Sequence, residues 1–280
     1  MTKISFALLL VILLSVNLQV ASQNNVTPSL VTWGFRYPFN QLCEVAKQHK
    51  ITSLELVAPG QWDNVKQNGL QVLIANGADL GIERGFCNLA FHKQLQDRYI
   101  QLIPKAAENG IKMIICYSGI RPGLSSEEAM ENCVTGLKPV MQCAEKYHVM
   151  IVMELISSHQ STSAWWQHTF PYYACDNASW GAALAGKLKT PCFRLIYNVW
   201  QMNDMGANIL DDIQKYHSFI AHYHIAGKEH KAITQNDPID YHAILGAIRS
   251  TGYTGNIGLE FLIEKQIPES IQFAVSLIDN

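Results

Sequence analysis

Short apolar runs alternate along this chain with longer stretches in which apolar residues recur every three or four positions. The short runs are Leu30–Phe35, Ser53–Val57, Leu80–Arg84, Lys112–Ser118, Met150–Ile156, Phe193–Val199, Ile220–Ala226 and Asn256–Leu262. Most are rich in Ile, Val, Leu or Tyr and end at turn residues, which predicts strands. Their near-continuous hydrophobicity suits a parallel sheet covered on both faces. The longer stretches predict helices over Phe39–Gln48, Trp62–Asn76, Gln94–Asn109, Ser126–Tyr147, Ala178–Leu188, Asn208–Tyr216, Tyr241–Ser250 and Pro268–Ile278. Ser125-Ser126-Glu127-Glu128 reads as a helix start with acidic residues in its first turn.

Eight strands, each followed by a helix, in about 250 residues is the arithmetic of a (β/α)8 TIM barrel, an α/β fold. An open doubly wound sheet would want a glycine-rich phosphate turn after the first strand. The chain instead reads Trp33-Gly34-Phe35-Arg36-Tyr37-Pro38 there. No linker or repeat interrupts the alternation, so residues 23–280 are expected to form one domain.

Residues 1–22 stand apart. A positive start at Lys3, an apolar run Ile4–Val16 and a more polar end with small residues at Ala21-Ser22 have the layout of a secretory signal peptide. The run is shorter than the roughly 20 residues of a spanning helix, although an uncleaved anchor is the competing reading. Cleavage after Ser22 would leave a secreted or periplasmic protein with no membrane segment.

Composition narrows the partners. Lys and Arg total 21 and Asp and Glu 23, a net charge of −2, so no basic surplus points to nucleic acid. An abasic-site endonuclease would need a basic face and more His and Asp ligands. The seven cysteines are odd in number and show no CxxC or zinc-type spacing, so no disulfide framework is expected. Sequons begin at Asn25 and Asn177. A homodimer is left open.

Barrel active sites lie at the C-terminal ends of the strands. The predicted ends carry Glu83-Arg84, Tyr117-Ser118, Glu154, Asn198, His222 and His224, and Glu260. A lone Glu in an apolar strand is costly to bury, and both Val152-Met153-Glu154-Leu155-Ile156 and Ile257-Gly258-Leu259-Glu260-Phe261 hold one. Two such carboxylates meeting inside one barrel repel unless a cation or a proton lies between them. The alternative is pairing of each Glu with a barrel cation, chiefly Arg36, Arg84 or Arg194. A shared divalent-metal site is the favoured reading, with His224 as a nitrogen ligand and His222 as a hydrogen-bonded core residue.

At these residues the sequence resembles hydroxypyruvate isomerase and its relatives among the xylose-isomerase-like barrels. The resemblance rests on Gly81-Ile82-Glu83-Arg84-Gly85, Glu154, Cys175-Asp176-Asn177-Ala178-Ser179-Trp180-Gly181, Tyr197-Asn198-Val199-Trp200-Gln201-Met202, His222-Tyr223-His224-Ile225-Ala226 and Gly258-Leu259-Glu260. It implies an isomerase with a divalent ion, Mg²⁺ or Mn²⁺, held by Glu154, Asn198, His224 and Glu260. It implies also that Glu154 and Glu260 move the proton. The family usually has Asp at Asn198 and His at Gln201, and its Arg after strand seven falls at Lys231. Asn brings no charge to a cation. Gln cannot titrate as His can, and Lys offers a point charge where Arg offers a fork.

The resulting expectation is metal-assisted isomerisation or epimerisation of a small, unphosphorylated sugar or hydroxy acid through an enediolate. Substrate contacts are expected from Gln201, Lys231, Glu83, Arg84 and the loop aromatics Trp165 and Trp166, with Trp33 and Trp62 as further wall candidates. The loop aromatics could equally anchor the loop to the barrel rim. Two other readings stand beside this one. The first is a degenerate barrel that binds carbohydrate without turnover, and the second is a lyase or dehydratase on the same scaffold.

Overall fold

The computed structural model describes residues 26–35, 38–160, 169–262 and 267–279. The leader at 1–22, the sequon at Asn25, Arg36 and the Trp165-Trp166 pair lie outside them. Eight parallel strands close into a barrel in sequence order. They are β1 (Thr27–Val31), β2 (Ser53–Val57), β3 (Gln71–Ala75), β4 (Met113–Cys116), β5 (Met150–Glu154), β6 (Phe193–Asn198), β7 (Ile220–Ile225) and β8 (Asn256–Leu259). The helices are α1 (Phe39–Gln48), α2 (Trp62–Gln67), α3 (His92–Glu108), α4 (Ser126–Tyr147), α5 (Ala178–Leu188), α6 (Val199–Asp204), α7 (Ile209–Tyr216), α8 (Tyr241–Ser250) and α9 (Ile267–Asp279).

Local chemistry explains several boundaries. α4 opens on a capping box, with the Ser125 hydroxyl accepting from Glu128 N–H and the Glu128 carboxylate accepting from Ser125 N–H. It ends at His148 in a left-handed conformation. Asn177 caps α5 by accepting from Trp180 N–H, so the second sequon's side chain is engaged as a helix cap. Among the described residues no helix is long and apolar enough to cross a membrane.

The third strand differs from the sequence expectation. The predicted helix Trp62–Asn76 stops at Gln67, a turn follows through Gly69 with φ 75°, and β3 begins at Gln71. Gln71-Val72-Leu73-Ile74-Ala75 matches a strand as well as a helix end, because short apolar runs do not discriminate the two. Pairing decided it: Ser53, Leu54, Glu55 and Val57 of β2 take partners in β3. The run Leu80–Arg84 is therefore loop. Its continuation lies along the exit from β4, with Cys87 N–H donating to Ser118 O at 2.7 Å and Ile120 N–H to Glu83 O at 3.0 Å. α6 was also hidden, since Tyr197-Asn198-Val199 reads as strand until Asn198 caps a helix.

Two apolar layers result. A large one fills the space between strands and helices, around Phe86, Tyr99, Leu137, Phe193 and Leu245. A smaller one lies inside the barrel and consists of Val31, Leu56, Ile74, Ile115, Val152 and Ile196. The interior positions of β7 and β8 bring His222, His224 and Gly258 instead. The apolar filling is thus one-sided, and the remaining interior is polar.

The crossing of the two loops after β3 and β4 depends on glycine. A Cβ on Gly85 would lie 2.3 Å from Gly119 N, and Gly119 itself has φ 84°. Gly85→Ala should cost about 1–3 kcal/mol through forced backbone displacement, read as a lower urea midpoint with an unchanged m-value.

Candidate active site

The polar half of the barrel interior is a cluster of fully buried groups. Glu154 at the end of β5 and Glu260 just after β8 are each 4% exposed, and His224 between them is 0% exposed. His224 Nδ1 lies 3.0 Å from Glu154 Oε1 and 3.6 Å from Glu260 Oε2. Its Nε2 lies 2.9 Å from Oε2 of Glu55, a third carboxylate, on β2. Glu55 also meets His222 Nε2 at 3.0 Å and accepts from the Ser29 hydroxyl. Among the described residues the carboxylates thus pair with imidazoles and amides, and Arg84 and Arg194 lie elsewhere. Arg194 donates to the Thr190 and Phe193 carbonyls, and Arg84 to the Leu80 carbonyl.

Asn198 completes the inner ring. Its Nδ2 donates to Glu154 Oε1 at 3.0 Å and to Glu260 Oε2, so one amide bridges both carboxylates. Its Oδ1 accepts from Gln201 N–H at 3.2 Å as the N-cap of α6. That cap sets the amide's orientation, because the free backbone N–H of a first helical turn requires an acceptor. Asn198 therefore turns an N–H, rather than a carbonyl, to the carboxylates.

Electrostatics separate the carboxylates. Burial would raise the Glu55 pKa, but the His222 and His224 imidazoles outweigh it and hold the acid well below its usual range. Burial and then the Glu260 charge push Glu154 up. For Glu260 burial is opposed by His224, by His230 and by the Trp33 N–H bond at 2.9 Å, and the balance lowers it. His224 is driven down by burial but well up overall, by Glu260, Glu154 and Glu55 together.

A cavity of about 280 Å³ opens onto this ring. Its wall includes Trp33, Leu56, Ile82, Tyr117, Ile156 and Phe170, and its polar lining includes Asn76, Gln201, His230, Glu154 and Glu260. Asn76 follows β3, and its Oδ1 is buried with no hydrogen-bond partner. Ser157 N–H donates to Gln201 Oε1 at 2.9 Å, which directs Gln201 Nε2 to His230 Nε2 at 2.9 Å. His230 Nε2 thus accepts, and its Nδ1 carries the proton that faces the Glu260 carbonyl at 3.2 Å. Burial lowers the pKa of His230, in keeping with a neutral ring.

Of the sequence candidates, the fold gathers Glu154, Asn198, Gln201, His224 and Glu260, with Trp33 in the wall. Others stand apart. Glu83 and Arg84 are exposed loop residues, displaced with the strand that was expected to carry them, while their neighbour Ile82 lines the cavity. Lys231 is exposed with its Nζ 3.0 Å from Glu229 Oε2, and His230 is the member of that loop in the wall. Trp62 is buried and donates to the Val57 carbonyl. In the loop after β5, Tyr173 anchors through bonds to Glu154 O and Ser118 N, and Phe170 joins the wall. Sequence reasoning passed over Glu55, although Ser53-Leu54-Glu55-Leu56-Val57 shows the same lone-carboxylate signal as β5. It passed over Asn76 because β3 was misplaced.

Glu154, His224 and Glu260 each offer one ligand atom, all within 4.8 Å of one another. Two carboxylate oxygens and an imidazole nitrogen suit a divalent cation such as Mg²⁺, Mn²⁺ or Zn²⁺. The donor set fits an ion without a contribution from Asn198.

The pattern of the family described as xylose isomerase-like TIM barrel matches residues 40–277. No curated protein matches the sequence at a significant level. D-psicose 3-epimerase from Clostridium cellulolyticum H10 superposes with a TM-score of 0.70 at 14% identity, over 91% of this chain and 94% of that one. The 3-keto-D-glucoside 4-epimerase of E. coli gives 0.70 and 14%, over 91% and 98%. An AP endonuclease, family 2, from Brucella melitensis gives 0.76 and 14%, over 89% and 97%. At this identity the likeness shows the fold, and the chemistry must come from the residues.

Asn198→Asp keeps a helix-capping oxygen and exchanges the bridging N–H for a negative oxygen. Mn²⁺ affinity should rise by roughly tenfold or more as ligand charge increases, measured by calorimetry at neutral pH. Without metal the same variant should melt at a lower temperature than the parent, because a fourth carboxylate then joins the three that already crowd one imidazole.

Proposed function

We propose, for a chain that belongs to the xylose isomerase-like TIM barrel family, that it is a sugar isomerase or epimerase acting on a small polyhydroxy carbonyl compound. The observation that carries this reading is the convergence of Glu154 and Glu260 on one imidazole at the floor of a cavity. The structural neighbours that are sugar epimerases support the reaction class.

In this mechanism one of the two carboxylates takes the proton from the carbon beside the substrate carbonyl. The C–H electron pair forms the new C=C bond, and the carbonyl pair moves to oxygen, giving an enediolate. For epimerisation the other carboxylate returns a proton to the opposite face of the same carbon. For isomerisation it protonates the former carbonyl carbon, while a hydroxyl proton passes between the two oxygens. A divalent cation, Mg²⁺ or Mn²⁺, held by Glu154, His224 and Glu260 would supply Lewis-acid stabilisation of negative charge on the substrate oxygens. The Asn198 N–H groups, placed against both carboxylates, hold them at a fixed separation.

The cavity supports a substrate of a few carbons rather than an oligosaccharide, since 280 Å³ lies at the small end of ligand pockets. The Asn76 Oδ1 is an acceptor for a sugar hydroxyl. His230, pinned as the neutral Nδ1–H tautomer by Gln201, replaces a fixed cation at this point of the wall and favours an uncharged substrate over a carboxylate. One observation favours the binding-only reading: the Asn198 amide already bridges the carboxylates in the place a cation would take between them. Turnover separates the readings.

With Mn²⁺ and a panel of ketoses and aldoses in D₂O, the protein should place deuterium on the carbon next to the carbonyl of its substrate, seen by NMR. Glu260→Gln should lower kcat by about 10²–10⁴-fold. Saturable sugar binding with no exchange on any substrate would replace the enzyme by a binding barrel. Retained turnover in Glu260→Gln would remove Glu260 from the proton path. Export is part of the proposal, supported by the leader-like pattern of residues 1–22. N-terminal sequencing of the protein recovered from an expressing host should read Gln23 first.

A further inference from the structure

Behind His224, away from Glu154 and Glu260, stands Glu55, which the reaction above does not use. It is 0% exposed, as are Ser29, His222 and His224. Its Oε1 accepts from the Ser29 hydroxyl, and its Oε2 faces His224 Nε2 at 2.9 Å and His222 Nε2 at 3.0 Å. The backbone is shaped around it. The β2–β3 register shifts on both sides of Glu55, and Leu56 adopts φ 54°, a left-handed conformation that is unfavourable for a side chain of its bulk. That irregularity lets neighbouring residues, Glu55 and Leu56, both reach the barrel interior.

Opposite lies Gly258. A Cβ there would stand 2.6 Å from His224 Cδ2, 2.9 Å from Glu55 Oε1 and 3.0 Å from His222 Nε2. The cluster therefore exists only because β8 carries no side chain at that point. Local backbone strain, an obligatory glycine and a fully buried carboxylate converge on one imidazole nitrogen. An apolar residue would fill this interior at lower electrostatic cost, as Val31, Ile74 and Ile115 do on the other side.

A neutral imidazole carries one ring proton, and the partner of one nitrogen decides which nitrogen keeps a lone pair. We propose that Glu55 is a positioning residue that keeps the Nε2 proton on His224, so that a cation held by Glu154 and Glu260 would displace the proton Nδ1 shares with Glu154 at 3.0 Å and take Nδ1 as its ligand. A carboxylate on the far nitrogen fixes the ring's orientation and strengthens it as a ligand. The His222 ring, with Nε2 3.0 Å from the same oxygen, packs against the Glu55 carboxylate from the other side. The inference rests on the reading of Glu154, His224 and Glu260 as a cation-holding set. Glu55, His222 and His224 also have ligand atoms within 4.8 Å of one another. An ion there would require His224 Nε2 to lose the proton that its 2.9 Å approach to Glu55 assigns to it.

The test uses the full chain without its leader. Mn²⁺ isotherms are recorded for the parent, for Glu55→Gln and for Ile114→Ala, a core truncation on β4 that serves as a stability control. In parallel, long-range ¹⁵N–¹H NMR of the Mg²⁺-loaded parent reads the His224 tautomer. One ion per parent chain, a 10- to 100-fold loss in Glu55→Gln, no loss in Ile114→Ala, and a proton on His224 Nε2 are expected. Equal affinity in Glu55→Gln overturns the role of Glu55 while the cation set stands. Absence of Mn²⁺ binding by the parent overturns the cation set and this inference with it. Two ions per parent chain overturn the positioning role in favour of a second metal site. Should Glu55→Gln fail to fold, the parent's tautomer decides, and a proton on Nδ1 rejects the proposal.

Discussion

Three carboxylates buried inside one barrel share a single imidazole, and the rest of the interior is arranged to make this tolerable. Each buried anion costs several kcal/mol unless it is paired and hydrogen-bonded. Here Glu55 meets two imidazoles and a hydroxyl, Glu154 meets His224 and an amide N–H, and Glu260 meets Asn198, Trp33 and the fringe of His224. Donors reach the cluster from β1, the turn after it, β6 and β7, and the cluster ties distant strands together at the point where a closed sheet must accept or reject polar groups.

This compensation explains the lopsided interior. Barrel cores are usually packed with branched aliphatic side chains in layers. In this protein such residues occupy one side, while Ser29, Glu55, His222, His224 and the side-chain-free Gly258 occupy the other. The irregular backbone at Leu56 belongs to the same arrangement. It departs from regular pairing so that a carboxylate and an aliphatic side chain from successive positions can both point inward. Strained or irregular backbone of this kind tends to concentrate where a site must be held in place.

The upper wall follows from a second set of constraints. Asn198 ends β6 and starts α6 with the same side chain, so the helix start and the carboxylate bridge are one structural decision. Gln201, one turn later, is held by the Ser157 backbone and in turn fixes the tautomer of His230. Asn198 and Gln201 are therefore not independent positions. They are members of a connected hydrogen-bond chain that runs from the exit of β5 to the exit of β8.

The alternation of apolar runs and amphipathic stretches determined a barrel of eight strands, because burial on both faces leaves a signature that needs no tertiary information. Lone carboxylates in apolar strands likewise marked Glu154 and Glu260, since an isolated charge in a buried strand demands a partner. Tertiary structure decided what periodicity cannot. Gln71–Ala75 became β3 through pairing with β2, which carried the third strand's end from Glu83 to Asn76 and left Glu83 and Arg84 on an exposed loop. The choice of His230 over Lys231 for the cavity wall rests on the turn of one loop. Glu55 had a legible signal, but its service to His224 depends on closure of the barrel, which sets β2 near β7 across 169 residues of chain. A sequence states which groups are expensive to bury, and only the closed fold states which partners meet that cost.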